Sequence, residues 1–253
     1  MEGCDPRAIR QRLESLLAAG VRQLPRPGVH RTAIEAPREA AAVHAEATPA
    51  PAPVLAAAAP RHDAADRVGP LRLLRQQVAG CTLCSELAAS RTQTVFGAGP
   101  PDARLCFLGE APGADEDATG EPFVGRAGQL LTKIIEACTL ARDDVYILNV
   151  LKCRPPGNRT PLPAEVDHCR AHFERQLEII APEFICCLGT TAAQALLRTA
   201  EPIGKLRRRW FAAGSAQVLC TYHPSYLLRN PAAKRDVWED MKMLMERMGL
   251  GKS

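Results

Sequence analysis

Apolar and polar positions along the chain fall into two alternating rhythms from Leu71 onward. Short continuous apolar runs at 103–109 (ARLCFLG), 145–153 (VYILNVLKC), 183–189 (EFICCLG) and 216–224 (AQVLCTYHP) read as buried strands. Stretches with helical spacing lie between them. In GQLLTKIIEACTL (128–140), Leu130, Leu131, Ile134, Ile135 and Cys138 share one face. LPAEVDHCRAHFERQLEII (162–180) opens on proline and carries Glu165 in its first turn, as helix starts do. TTAAQALLRT follows the third strand, and KRDVWEDMKMLMERMG reads as a closing amphipathic helix. Strands alternating with helices predict an α/β layer fold with a mostly parallel sheet. Ligands in such folds sit at the carboxyl ends of the strands. The unusual stretches GEAPGADED, NVLKCRPPGN, CLGTT and YHPSYLLRN all fall there.

Upstream the pattern changes. Ile9, Leu13, Leu16 and Leu17 could share one face of a short helix at 5–20. From about Ala33 to Pro70 alanine and proline dominate, a composition that buries little apolar surface. A disordered linker is expected there, with an Ala-rich helical spacer as the alternative. The 253 residues thus divide into an N-terminal extension, 1–70, and a globular domain, 71–253. The helix at 5–20 could dock a partner of unknown identity or simply be an apolar tail, the second reading being favoured.

Composition narrows the class only slightly. A hydrophobic content of 46% supports a core, and a net charge of +4 permits nucleic-acid binding without arguing for it. The start MEGCDPRAIRQRLESLL has no basic region followed by an apolar run, so no signal peptide is expected. No apolar run approaches the ~20 residues that span a bilayer. An intracellular chain with reduced thiols follows, and its ten cysteines are better read as metal or redox chemistry than as disulfides. Cys106, Cys186, Cys187 and Cys220 lie inside apolar runs and read as inert buried thiols. CTLC, Cys81 to Cys84, is different. Cys153 after the second strand and Cys169 in the next helix could complete a four-thiolate centre, suited to zinc or to an iron–sulfur cluster. Spacing alone leaves both metals open, and equally a surface turn with two incidental cysteines.

Four motifs in order, GEAPGADED, GEPFVGRAGQLL, NVLKCRPPGNRTP and HPSYLLR, resemble the family-4 uracil-DNA glycosylases over about residues 71–248. The resemblance implies a three-layer α/β/α fold with a central mostly parallel sheet. It implies a 4Fe-4S cluster on Cys81, Cys84, Cys153 and Cys169, structural in role. It also implies hydrolysis of the N-glycosidic bond of uracil in single- and double-stranded DNA, leaving an abasic site for base excision repair. A monomer in the cytoplasm of a prokaryote, working at the nucleoid and away from membranes, is the matching expectation. A related branch that crosslinks to DNA through a loop histidine carries GEQPG. This chain reads GEAPG at 109–113 and has no histidine between Ala111 and Asn149, which disfavours that branch.

Uracil excision needs a flipped base to be stacked, read at its edge, relieved of charge and attacked by water. Phe123, flanked by proline and valine in GEPFVG, is the stacking candidate, with a core anchor as the plainer alternative. Asn149 can pair with uracil O4 and N3–H together and reject cytosine, whose pattern is reversed. His223 can donate to uracil O2 as charge builds there. Gly109 and Glu110 close the first strand; Glu110 is the candidate for holding the water, with Asp115 as runner-up. In better-known glycosylases an aspartate one residue after the Glu110 position does this, and here that residue is Ala111. Ser225, Tyr226, Leu227, Leu228 and Arg229 are the DNA-contact candidates, the apolar ones as wedges into the gap left by the base. Lys234 and Arg235 could hold phosphates, and KLRRRW (205–210) is either a DNA-facing loop or a solvated face. A non-catalytic uracil-DNA-binding protein and a redox iron–sulfur module of the same fold are the competing readings. The redox reading lacks a phosphate-cradling glycine loop.

Overall fold

The computed structural model describes residues 64–250. The helix expected at 5–20, most of the expected linker, and His30, His44 and His62 lie outside the described residues. The first helix among the described residues, α1 (Ala64–Ala79), begins ahead of the boundary expected at residue 70 and carries Pro70 within it. Its buried stripe explains this: Arg67, Leu71, Leu74 and Val78 recur at helical spacing on both sides of the proline. Arg67 also donates to the carbonyl of Ile180.

A five-stranded sheet forms the centre, in the order β2-β1-β3-β5-β4. The strands are β1 (Leu105–Gly109), β2 (Tyr146–Asn149), β3 (Phe184–Leu188), β4 (Trp210–Ala213) and β5 (Ala216–Thr221). All neighbours run parallel except β4, which lies antiparallel on β5. β4 falls where the sequence suggested only a basic run, because Trp210 and Phe211 pair with Leu219 and Val218.

Two hydrophobic layers cover the sheet, and strand periodicity decides which residue enters which. Cys106, Leu108, Leu148, Ile185, Cys187 and Val218 enter one layer, with Leu71 and Leu74 of α1 and Phe173 and Leu177 of α5 (Pro163–Ile180). Leu105, Phe107, Ile147, Phe184, Cys186 and Leu219 enter the other, with α4 (Arg126–Ala137) and α9 (Lys234–Met248). The three-layer α/β/α architecture follows, with helices on both faces.

The remaining α-helices among the described residues are α2 (Ser85–Ser90), α3 (Ala114–Thr119), α4 (Arg126–Ala137), α6 (Thr190–Leu197), α7 (Ile203–Leu206), α8 (Pro224–Arg229) and α9 (Lys234–Met248). None of the described helices is long and apolar enough to cross a membrane.

Candidate active site

The carboxyl ends of the parallel strands open into a cleft of about 960 Å³. Glu110, Asp115, Phe123, Asn149, His223, Ser225, Tyr226 and Arg229 all line it. These residues span much of the chain, and only the parallel sheet brings them together.

Asn149 is the last residue of β2, and in the register it lies beside Gly109 of β1. It is only 1% exposed. A Cβ on Gly109 would collide with the Asn149 amide oxygen and stand 2.6 Å from the Phe123 ring, so glycine is what lets amide and ring meet. Asn149 Oδ1 has no hydrogen-bond partner among the described residues. Its backbone carbonyl accepts from the ammonium of Lys152 at 2.9 Å. Lys152 is buried and donates as well to Phe96 O (3.1 Å) and Gln176 Oε1 (2.7 Å), a brace the sequence did not reveal.

Phe123 sits at φ +54°, a left-handed conformation that costs an aromatic residue about 1–3 kcal/mol. The loop around it imposes that shape. One oxygen of the Glu116 carboxylate accepts from the backbone N–H groups of Val124 (2.9 Å) and Gly125 (3.0 Å), and the other accepts from that of Gly113 (3.0 Å). Gly128 lets α4 start directly against the Phe123 backbone, where any Cβ would strike the Phe123 carbonyl. The Phe123 ring is buried, with its centroid 5.5 Å from that of His223.

His223 caps the N-terminus of α8. Its Nδ1 accepts from the Ser225 backbone N–H at 3.1 Å and lies 2.8 Å from Ser225 Oγ. A nitrogen that accepts an N–H carries no proton, so the neutral ring holds its proton on Nε2. Burial and then the positive charge of Arg229 push the His223 pKa down to about 4, with Glu116 pulling the other way. At neutral pH the ring is therefore an uncharged Nε2–H donor.

Thr191, near the start of α6, donates its hydroxyl to Glu110 Oε2 at 2.5 Å. Sequence reading missed this residue; its place two residues after Gly189, the glycine that follows β3, was the available signal. Asp115 is exposed in the first turn of α3, and a Cβ on Gly125 would come within 2.5 Å of its Oδ2. Its neighbours Glu116 and Asp117 are buried instead, and Asp117 accepts the Thr92 N–H at 3.0 Å.

Tyr226, which lines the cleft, and Leu228, which does not, are each 38% exposed, and the Tyr226 ring packs 4.9 Å from that of Tyr222. Leu227 is a correction. It is 1% exposed and packs into the core layer shared with α4 and α9, because successive helical residues project about 100° apart and position 227 of α8 falls on the side that meets the core. Its side chain cannot act as a wedge. Arg126 and Arg159, not singled out from the sequence, also line the cleft. Within KLRRRW, Arg207 turns inward: its Nε donates to Asp240 Oδ2 at 2.7 Å and its guanidinium lies 4.2 Å over the Tyr222 ring.

Cys81 and Cys84 are half-buried, and Cys153 and Cys169 are buried. All four are free thiols. Each of Cys84, Cys153 and Cys169 is raised in pKa, first by burial and then in part by the charge of others of the set, so the four lie within electrostatic reach of one another. Arg159 ties two of their helices together, donating to Glu86 of α2 (2.9 Å) and Glu165 of α5 (2.6 Å). Among the described residues no group of three or more His, Cys, Asp or Glu is gathered to hold a metal ion.

The sequence profile described as the uracil DNA glycosylase superfamily matches residues 96–242. The chain is 44% identical over 178 residues to the type-4 uracil-DNA glycosylase of Thermotoga maritima, covering 68% of this chain and 91% of that protein. It is 41% identical over 184 residues to the type-4 uracil-DNA glycosylase of Archaeoglobus fulgidus, covering 69% of this chain and 91% of that protein. A type-5 uracil-DNA glycosylase of Thermus thermophilus is more distant, 30% identical over 188 residues, covering 59% of this chain and 84% of that protein.

Proposed function

The chain belongs to the uracil-DNA glycosylase superfamily, alongside the type-4 enzymes, and we infer that it excises uracil from DNA by hydrolysing the N-glycosidic bond. It is a DNA-repair hydrolase. The observation that carries the site reading is the buried, unpartnered amide oxygen of Asn149 beside the Phe123 ring. A buried acceptor without a donor costs about 1–3 kcal/mol, and an incoming N–H relieves it. Uracil N3–H is such a donor, and uracil O4 can accept from the same amide. Cytosine offers an acceptor at N3 and a donor at N4, which leaves both ends of the amide mismatched.

The roles then follow from the chain's own groups. The flipped uracil stacks on Phe123 and pairs with Asn149. As the glycosidic bond lengthens, negative charge gathers on the base, and the neutral His223 Nε2–H donates to uracil O2. A donor fixed in advance at developing charge needs no reorganisation during the reaction, which makes it a large catalytic term. Glu110, held by Thr191, positions the attacking water at the sugar carbon, with Asp115 as the second candidate for that task. Tyr226 and Leu228 fill the gap in the stack, while Ser225, Arg229 and Arg126 meet the backbone phosphates. Both single- and double-stranded DNA are proposed as substrates, since the site reads one base.

Cys81, Cys84, Cys153 and Cys169 would hold a 4Fe-4S cluster, supported by the chemistry of the donor set: four free thiols, on three segments of chain, whose charges act on one another. When bound it supplies a structural cross-link between the segment before α2, the loop after Asn149 and α5.

The deciding experiment uses an oligonucleotide carrying one uracil, alkali cleavage of abasic sites and a gel. Strand breaks at uracil and none at cytosine are expected, with at least a ~10²-fold slower rate in Asn149→Ala, the loss typical of one preorganised donor. Tight binding without breaks would move the chain to the binding-protein reading.

A further inference from the structure

His168 and His172 lie one turn apart on α5 and bracket Cys169 in the order His-Cys-x-x-His. At that spacing both rings leave the helix on the same side. His168 Nδ1 is 3.4 Å from Cys84 Sγ, and His172 Nε2 is 3.4 Å from Cys81 Sγ. Arg91, just after α2, places Nη1 3.0 Å from Cys153 Sγ, and its Nη2 is anchored on the Ala79 carbonyl at 3.2 Å. The fourth sulfur, on Cys169, accepts from the backbone N–H of Lys152. Every member of the cysteine set thus has one nitrogen aimed at it from outside. Toward a thiolate these nitrogens can only donate. Arg91, His168 and His172 are absent from the cleft lining, so uracil recognition does not account for them.

We propose that Arg91, His168 and His172 form an outer shell of N–H donors that positions the four cysteine sulfurs and draws negative charge off them, a role that rests on the iron–sulfur reading above. An N–H aimed at a ligating sulfur fixes the ligand's orientation and strengthens its hold on the group it binds. Hydrogen bonds to cluster sulfurs also favour the more reduced, more negative state of the cluster. These are positioning residues, acting through the cysteines.

The test compares the full-length wild-type protein, prepared without oxygen, with Arg91→Met, His172→Leu and His172→Gln. Iron and sulfide per chain, the rate of iron loss to a chelator and the midpoint potential of the cluster are measured. Arg91→Met and His172→Leu are expected to lose iron about 10- to 100-fold faster and to shift the midpoint to more negative values. His172→Gln retains an N–H donor and should recover most of both. Unchanged iron loss and midpoint in the loaded Met and Leu variants overturn the inference and leave the cluster reading standing. A wild-type protein that holds no iron or sulfide after reconstitution ends both. Should Arg91→Met take up no iron, the His172 pair, on a half-buried ring, decides by the same readouts.

Discussion

His223 shows how much one backbone contact determines. The Ser225 N–H on Nδ1 sets the tautomer, and burial keeps the ring uncharged. The pKa of about 4 lies below the ordinary histidine value of about 6.5. Between those two values the unfolded chain binds a proton that the folded chain does not. The resulting stability is complete above pH ~6.5 and is lost as pH falls toward 4. Two outcomes follow. A kcat–pH profile should show no inflection near 6.5 from this group, and His223→Ala should lower kcat by about 10²–10³-fold. Chemical denaturation of the wild type between pH 7 and 4.5 should show falling stability, and His223→Ala should flatten part of that slope. An acid limb of kcat centred near 6.5 that disappears in His223→Ala would mean the imidazole is charged in use.

At the scale of elements, the segment from β1 to α4 is a loop organised by one carboxylate. Glu116 accepts three backbone N–H groups, from Gly113, Val124 and Gly125, and so draws the start of α3 and the start of α4 together with Phe123 between them. Removing it leaves three donors without an acceptor and releases Phe123 from its left-handed conformation. Glu116→Ala should therefore lose about 1–3 kcal/mol of stability on urea unfolding. It should also raise KM and lower kcat together, because the stacking ring loses its place. A variant of full stability and activity would show that the strain at Phe123 is held by packing on Gly128 alone. The same scale explains Leu227: α8 is short, and burying one side of it in the core leaves Tyr226 and Leu228 to face outward.

For the whole molecule, the decisive interactions tie the far end of the sheet to the last helix. Arg207 and Asp240 form a buried ion pair, 9% and 0% exposed at the side chain, and Asp240 also accepts from the Thr221 hydroxyl at 2.6 Å. A broken buried pair leaves an uncompensated charge and costs about 3–5 kcal/mol. Arg207→Met should show that loss in thermal or urea unfolding while leaving the salt dependence of DNA binding unchanged. A reduced salt slope would instead restore Arg207 as a phosphate contact. The exposed basic side chains of the cleft, Arg126 and Arg229, are where a shallower slope is expected on substitution.

The sequence alone was sufficient for the alternation of strands and helices and for an α/β layer fold with its cleft at the strand ends, because hydrophobic periodicity and strand-terminal glycines are local signals; the three-layer arrangement came from the family resemblance. That Glu110, Phe123, Asn149 and His223 would line that cleft was legible for the same reason: each ends a strand or sits in a short loop whose motif is contiguous. Tertiary structure alone decided what those side chains touch. Thr191 on Glu110, Lys152 behind Asn149 and the two histidines facing Cys81 and Cys84 are contacts across 81, 3, 91 and 84 positions of chain, and only that of Lys152 leaves a local trace. Burial was likewise invisible in composition. Leu227 and Leu228 are identical neighbours, as are Arg207 and Arg208, yet Leu227 is buried and Arg207 half-buried while Leu228 and Arg208 are exposed. Which face of a helix meets the core depends on the elements packed against it, and that is settled only when the whole chain folds.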